Sequence, residues 1–87
     1  ELPLPSQHVT DEVLRRLAKS YGTTYTADNT IITTTHTHSG PGGYCGHLLY
    51  NLSTNGFRPA TFGAIVDGIV ESVRYAHDDV GPAAVTL

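Results

Sequence analysis

Thr30-Ile31-Ile32-Thr33-Thr34-Thr35-His36-Thr37-His38-Ser39-Gly40-Pro41-Gly42-Gly43-Tyr44 is the stretch on which the fold class turns. Its first six residues are all β-branched, which predicts a strand over 30–35. Their continuous run, without alternation, points to a strand covered on both faces. Two histidines spaced i, i+2 follow at its end. On an extended backbone that spacing directs both imidazoles to one side, and histidine is the commonest protein ligand for zinc. Gly40, Gly42, Gly43 and Gly46 then supply backbone freedom for a tight loop that passes close to something, with Pro41 stiffening its middle.

Upstream, residues 1–9 contain two prolines and no periodicity, and read as an extended lead-in. Thr10 offers an N-cap, and Asp11 and Glu12 place negative charge in the first turn that follows. Val13, Leu14, Leu17, Ala18 and Tyr21 form one helical stripe, Arg15, Arg16 and Lys19 face water, and Gly22 is the natural stop. The polar run 23–29, with Asp28-Asn29 as turn residues, leads into the strand.

Downstream, 39–59 is irregular. Leu48, Leu49, Tyr50 and Leu52 make a short apolar patch, and Asn51-Leu52-Ser53 matches the glycosylation sequon. After Pro59, Thr61 is placed to cap a second helix. In it Phe62, Ile65, Val66, Ile69, Val70, Val73 and Ala76 recur at helical spacing, implying about 17 residues. Gly63 and Gly68 inside it suggest close packing against a neighbour. Pro82 ends it, and residues 83–87 start what reads as another strand, within which the chain stops. The order helix, strand, glycine loop, helix, strand predicts an α/β fold. Residues 1–87 read as a partial segment of a larger layered α/β domain, with no complete second domain.

The chain has 87 residues and a formal net charge of −3, with no basic excess that would suit nucleic acid. Its single cysteine, Cys45, excludes an intrachain disulfide. No apolar run approaches the roughly 20 residues of a membrane span, and the start lacks the features of a signal peptide. A bare His-x-His leaves metal binding and ordinary surface histidines both open. Cys45, His8, His47 and His77 are the other candidate ligands, with His8 and His77 reading as exposed. The glycine loop matches neither common phosphate-binding pattern, and Ser39 lacks the G-x-S-x-G context of a serine nucleophile.

Thr35-His36-Thr37-His38-Ser39-Gly40-Pro41-Gly42-Gly43-Tyr44 resembles the hallmark of the neutral ceramidase family. Matches continue through Leu14-Arg15-Arg16-Leu17, Tyr21-Gly22, Tyr25-Thr26-Ala27-Asp28-Asn29, Leu49-Tyr50-Asn51, Gly56-Phe57, Phe62, Ala64-Ile65-Val66-Asp67-Gly68-Ile69 and Ala76-His77. The resemblance implies a segment of a large N-terminal catalytic α/β domain. It implies a zinc-dependent amidase that hydrolyses the N-acyl bond of ceramide, or of a related N-acyl lipid, to sphingosine and fatty acid. Carried over by position, His36 corresponds to a zinc ligand and His38 to a catalytic residue beside the substrate amide. The remaining ligands, a histidine, a glutamate and a tyrosine, would come from later in the chain. The resemblance also implies a secreted or cell-surface location, peripheral membrane contact, and completion of the site by the rest of the catalytic domain or a partner chain. Two alternatives stand beside it: a non-catalytic interaction chain docking into a partner sheet, and an unrelated His-x-His metallohydrolase fragment.

Overall fold

The structure, a computed structural model, describes residues 2, 4–44 and 56–86. Two helices, α1 Gln7–Tyr21 and α2 Pro59–Asp78, pack on one another. Among the described residues there is no β-strand. The α/β expectation is therefore overturned. Cys45, His47, the apolar patch at 48–52 and the sequon lie outside the described residues.

α1 starts earlier than the sequence suggests. Ser6, not Thr10, is its N-cap, its hydroxyl accepting the Val9 N–H at 3.4 Å, and Thr10 N–H already bonds the Ser6 carbonyl at 3.0 Å. The earlier start adds Val9 to the buried stripe of Val13 and Leu17, at i, i+4 and i+8. It also moves Asp11 and Glu12 out of the first turn. They are held by side chains instead: Gln7 Nε2 donates to Asp11 Oδ1 at 2.6 Å, and Glu12 accepts from Arg15 and Arg16. Gly22, at φ 63°, closes the helix with its N–H on the Ala18 carbonyl.

α2 runs for 20 residues, longer than predicted. Its N-cap is Arg58, which makes no side-chain capping bond, and Pro59 occupies the start, where a missing N–H costs nothing. Thr61 lies inside the helix. Val66 and Val70 are buried against α1, while Phe62, Ile65, Ile69 and Val73 pack at the margin. Arg16 of α1 pairs with both Glu12 and Asp67, so an ion pair crosses between the helices at the edge of the core. A Cβ added at Gly63 or Gly68 would meet nothing within 4 Å, so neither glycine is required by packing within the described residues.

Residues 30–35 carry no ladder, and their accessibility alternates. Ile31 is 88 % exposed whereas Ile32 packs against the core. Among the described residues only one face is covered, as period-2 side-chain direction allows, and they do not provide the expected cover on both faces. Pairing stops because the neighbouring lead-in is otherwise engaged. His36 N–H bonds the Leu2 carbonyl at 3.1 Å, but both backbone groups of Leu4 go to the hydroxyl of Tyr44 rather than to a strand. Residues 83–86 are exposed and form no strand, Val85 being 95 % exposed. β-propensity expresses itself only where a partner edge is offered, and the described residues offer none to either segment.

Candidate functional site

His36 and His38 lie on the open side of the segment that follows residues 30–35, and both are exposed. His36 has φ 60°, the only positive value at a non-glycine among the described residues. That is the left-handed region, which histidine tolerates better than β-branched neighbours such as Thr35 and Thr37 would. This turn brings the two rings together. Their Nε2 atoms are 3.2 Å apart and the rings meet edge-on, with centroids 4.8 Å apart and planes at 78°. One ring donates its N–H to the other, the tautomers setting the direction. The expectation that i, i+2 spacing puts both imidazoles on one side is thus met in outcome, through a left-handed residue instead of a straight strand.

Beyond the pair, the chain bends through Ser39, whose N–H reaches Thr37 Oγ1 at 3.4 Å, and returns to the core at Gly43 and Tyr44. Gly43 adopts φ 77°, and its carbonyl accepts the Arg58 N–H at 2.6 Å. A Cβ here would lie 2.8 Å from both the Gly56 carbonyl oxygen and Arg58 Cγ. The close approach inferred from the glycines is real at this position, and what approaches is the entry to α2. Tyr44 is 2 % exposed and its ring sits in the core. Its hydroxyl donates to the Leu4 carbonyl at 2.6 Å and accepts the Leu4 N–H at 3.0 Å.

The remaining described histidines belong elsewhere. His8 lies against Phe62, centroids 4.5 Å apart, with the edge of Phe57 at 5.8 Å. His77 is half-buried, not exposed as its sequence position suggests. It stacks on Tyr21 at 4.2 Å, and its Nδ1 is hydrogen-bonded to the Tyr25 hydroxyl at 2.8 Å. Both rings serve contacts between α1, the 23–29 loop and α2.

The donor set fits a partial zinc site. Zn–N bonds of about 2.0–2.1 Å in a tetrahedron place adjacent nitrogens about 3.4 Å apart, close to the separation of the two Nε2 atoms. Catalytic zinc takes three protein ligands, however, and among the described residues no third His, Cys, Asp or Glu gathers with this pair. Sequence reasoning located the histidines but missed what holds them: the Leu2 carbonyl, the Leu4 backbone and the tyrosine hydroxyl that grips it. Tyr44 was visible as the last residue of the block. Nothing local marks a partner 40 positions away.

The family described as neutral/alkaline non-lysosomal ceramidase, N-terminal, matches residues 1–87. The neutral ceramidase of Mycobacterium tuberculosis is 74 % identical over 87 residues, covering 100 % of this chain and 14 % of that protein. Neutral ceramidase 3 of Arabidopsis thaliana is 43 % identical over 84 residues, 97 % of this chain and 12 % of the relative. The crystal structure of neutral ceramidase from Pseudomonas aeruginosa aligns with a TM-score of 0.85 at 47 % identity, covering 88 % of this chain and 12 % of that one. The chain therefore spans a small part of the length of the relatives it matches.

Proposed function

Because the chain belongs to the neutral/alkaline non-lysosomal ceramidase family, we propose that it supplies part of the active site of a zinc-dependent amidase acting on the N-acyl bond of ceramide. The observation that carries this reading is the contact between the His36 and His38 rings, 3.2 Å from nitrogen to nitrogen, within the block Thr35 to Tyr44. His36 is the zinc ligand, through Nε2 of a neutral imidazole. A metal at such a site supplies Lewis-acid polarisation and lowers the pKa of water.

His38 acts on the substrate. His36 would hold the metal through its Nε2 lone pair, and in the tautomer that protonates His38 at Nε2 that N–H would no longer have His36 as its acceptor. It is then free to donate to the carbonyl oxygen of the amide, orienting it and stabilising negative charge as that charge develops. The exposed face of the pair leaves room for a lipid head group, and further ligands come from residues outside this chain or its described part. Among the described residues no helix is long and apolar enough to cross a membrane. Peripheral contact with a lipid surface and a secreted or cell-surface location complete the proposal and rest on the resemblance.

The test uses the full chain as its gene encodes it. His36→Ala should lower ceramide hydrolysis by about 100-fold or more and remove bound zinc, and a variant that keeps both sinks the assignment. His38→Ala separates two arrangements. Zinc retained with hydrolysis lost supports His38 on the substrate. Zinc lost as well supports a second reading in which both imidazoles bind the metal, which the tetrahedral-edge separation of their Nε2 atoms favours.

A further inference from the structure

Leu2 and Leu4 act as a strap on the histidine block: in the sequence Leu-Pro-Leu-Pro over residues 2 to 5 the prolines lack an N–H, so only the two leucines can donate from the backbone. Both leucines are hydrogen-bonded to the histidine block. At one end the Leu2 carbonyl accepts the N–H of His36. Two residues on, Leu4 gives its N–H to the Tyr44 hydroxyl and accepts that hydroxyl's proton on its carbonyl. The phenol thus takes the place of a neighbouring strand, satisfying donor and acceptor of one residue together. The Tyr44 ring is itself immobilised in the core beside Val9, Val13, Leu17, Val66 and Val70.

The consequence falls on His36. Its left-handed backbone, φ 60°, is an unfavourable conformation for a residue with a side chain, so it persists only where surrounding contacts hold it. The bond from His36 N–H to Leu2 is such a contact, and it is only as firm as the strap. The geometry points to Tyr44 as a positioning residue for the metal-binding pair. Its hydroxyl clamps the strap at Leu4, the strap presents the Leu2 carbonyl to His36, and that bond keeps His36 turned so that its Nε2 meets that of His38. Tyr44 touches neither substrate nor metal in this role. The inference rests on His36 being a zinc ligand.

The experiment replaces Tyr44 by phenylalanine in the full-length enzyme, keeping the ring and removing only the hydroxyl. Three readouts are taken: zinc affinity by competition with a chromogenic chelator, the d–d absorption of the cobalt-substituted protein, and kcat and KM for ceramide. Expected are a loss of about 10-fold in metal affinity, the size of effect that follows removal of an orienting group behind a ligand, together with a shifted cobalt spectrum and a fall in kcat with KM nearly unchanged. Unchanged affinity and spectrum in a folded Tyr44→Phe protein, whatever its melting temperature, overturn the proposal, because a plain core contact would move only stability. Leu4→Pro is the second variant. It removes the N–H that bonds Tyr44 at a surface position and leaves the core intact, so it reads the same link if Tyr44→Phe does not fold. It should shift affinity and spectrum in the same direction by a smaller factor, and wild-type values there also overturn the proposal. His36→Ala is run alongside: metal retained in that variant refutes the ligand assignment and this inference with it, whereas metal lost there but kept in Tyr44→Phe refutes the positioning role alone.

Discussion

α1 and α2 meet through apolar side chains repeating every three to four residues, each bond of their backbones closed within its own helix. The stretch 30–44 is built the other way. Its side chains reach the core mainly at Ile32 and Tyr44, and its backbone is tied to Leu2 at one end and to Arg58 at the other. Apolar packing is non-directional and tolerates small shifts, whereas hydrogen bonds and a left-handed residue specify orientation. The helix pair therefore carries stability, and the histidine stretch carries geometry. Substitutions in the first should unfold the protein without changing the site, and those in the second should distort the site.

The sharpest way to break that division is Leu17→Ala. Leu17 is 1 % exposed between the helices, and its truncation should cost about 2–5 kcal/mol in urea unfolding. The folded fraction should keep the zinc affinity of the parent. A loss of affinity in that fraction would show that the helix packing itself sets the site.

Gly43→Ala comes next. It adds a Cβ where the Gly56 carbonyl oxygen and Arg58 Cγ lie at 2.8 Å, on a backbone at φ 77°. A cost of about 1–3 kcal/mol is expected, accompanied by weaker metal binding, since the loop must back away from α2. Native stability in this variant would remove the close approach from the account.

Gly68→Ala should act with the opposite sign. The new methyl meets nothing within 4 Å, so replacing glycine inside α2 should raise stability by about 0.5–1 kcal/mol. Destabilisation would reveal a neighbour packed on this face from residues outside those described.

The smallest effect is on pH dependence. Hydrogen bonds from Arg15 first, and then from Arg16, hold the Glu12 carboxyl down at about 2, from an ordinary 4.5. A depressed folded-state value means that the stabilisation is present above about 4.5 and is lost as the pH falls from there toward 2. Melting temperature followed across that window should fall less steeply in Glu12→Gln than in the parent. Identical profiles would assign the acid response to other carboxylates.

How far the sequence could be read differs between the same two regions. The stripes Val13, Leu17 and Val66, Val70 announced both helices and their facing sides, because the 3.6-residue period is written in consecutive positions. Boundaries were less legible. In sequence Thr10 reads as the cap, but Ser6 caps the helix and the earlier start brings Val9 into the core. In the histidine stretch, six β-branched residues gave a strand signal that the described residues do not realise, since a strand needs an edge to pair with and Leu4 is taken by Tyr44. Gly63 and Gly68 pointed to a packing contact that the described residues do not make, while Gly43 pointed to one that they do. No local feature distinguishes them, because the contact is made by Gly56 and Arg58.

By itself, then, the sequence determined the two amphipathic helices, the glycine turn, the pair of candidate ligands and the family to which they belong. Each of these is encoded in neighbouring residues or in an ordered motif. Tertiary structure decided that residues 30–35 pair with no strand among the described residues, that His36 turns left-handed to meet His38, and that a buried phenol holds the strap beside them. Those outcomes depend on groups that come together from distant parts of the chain, as Tyr44 and Leu4 do from 40 residues apart. A pattern of consecutive residues carries no record of such meetings, because the hydrogen bonds that make them are satisfied only once the chain has folded.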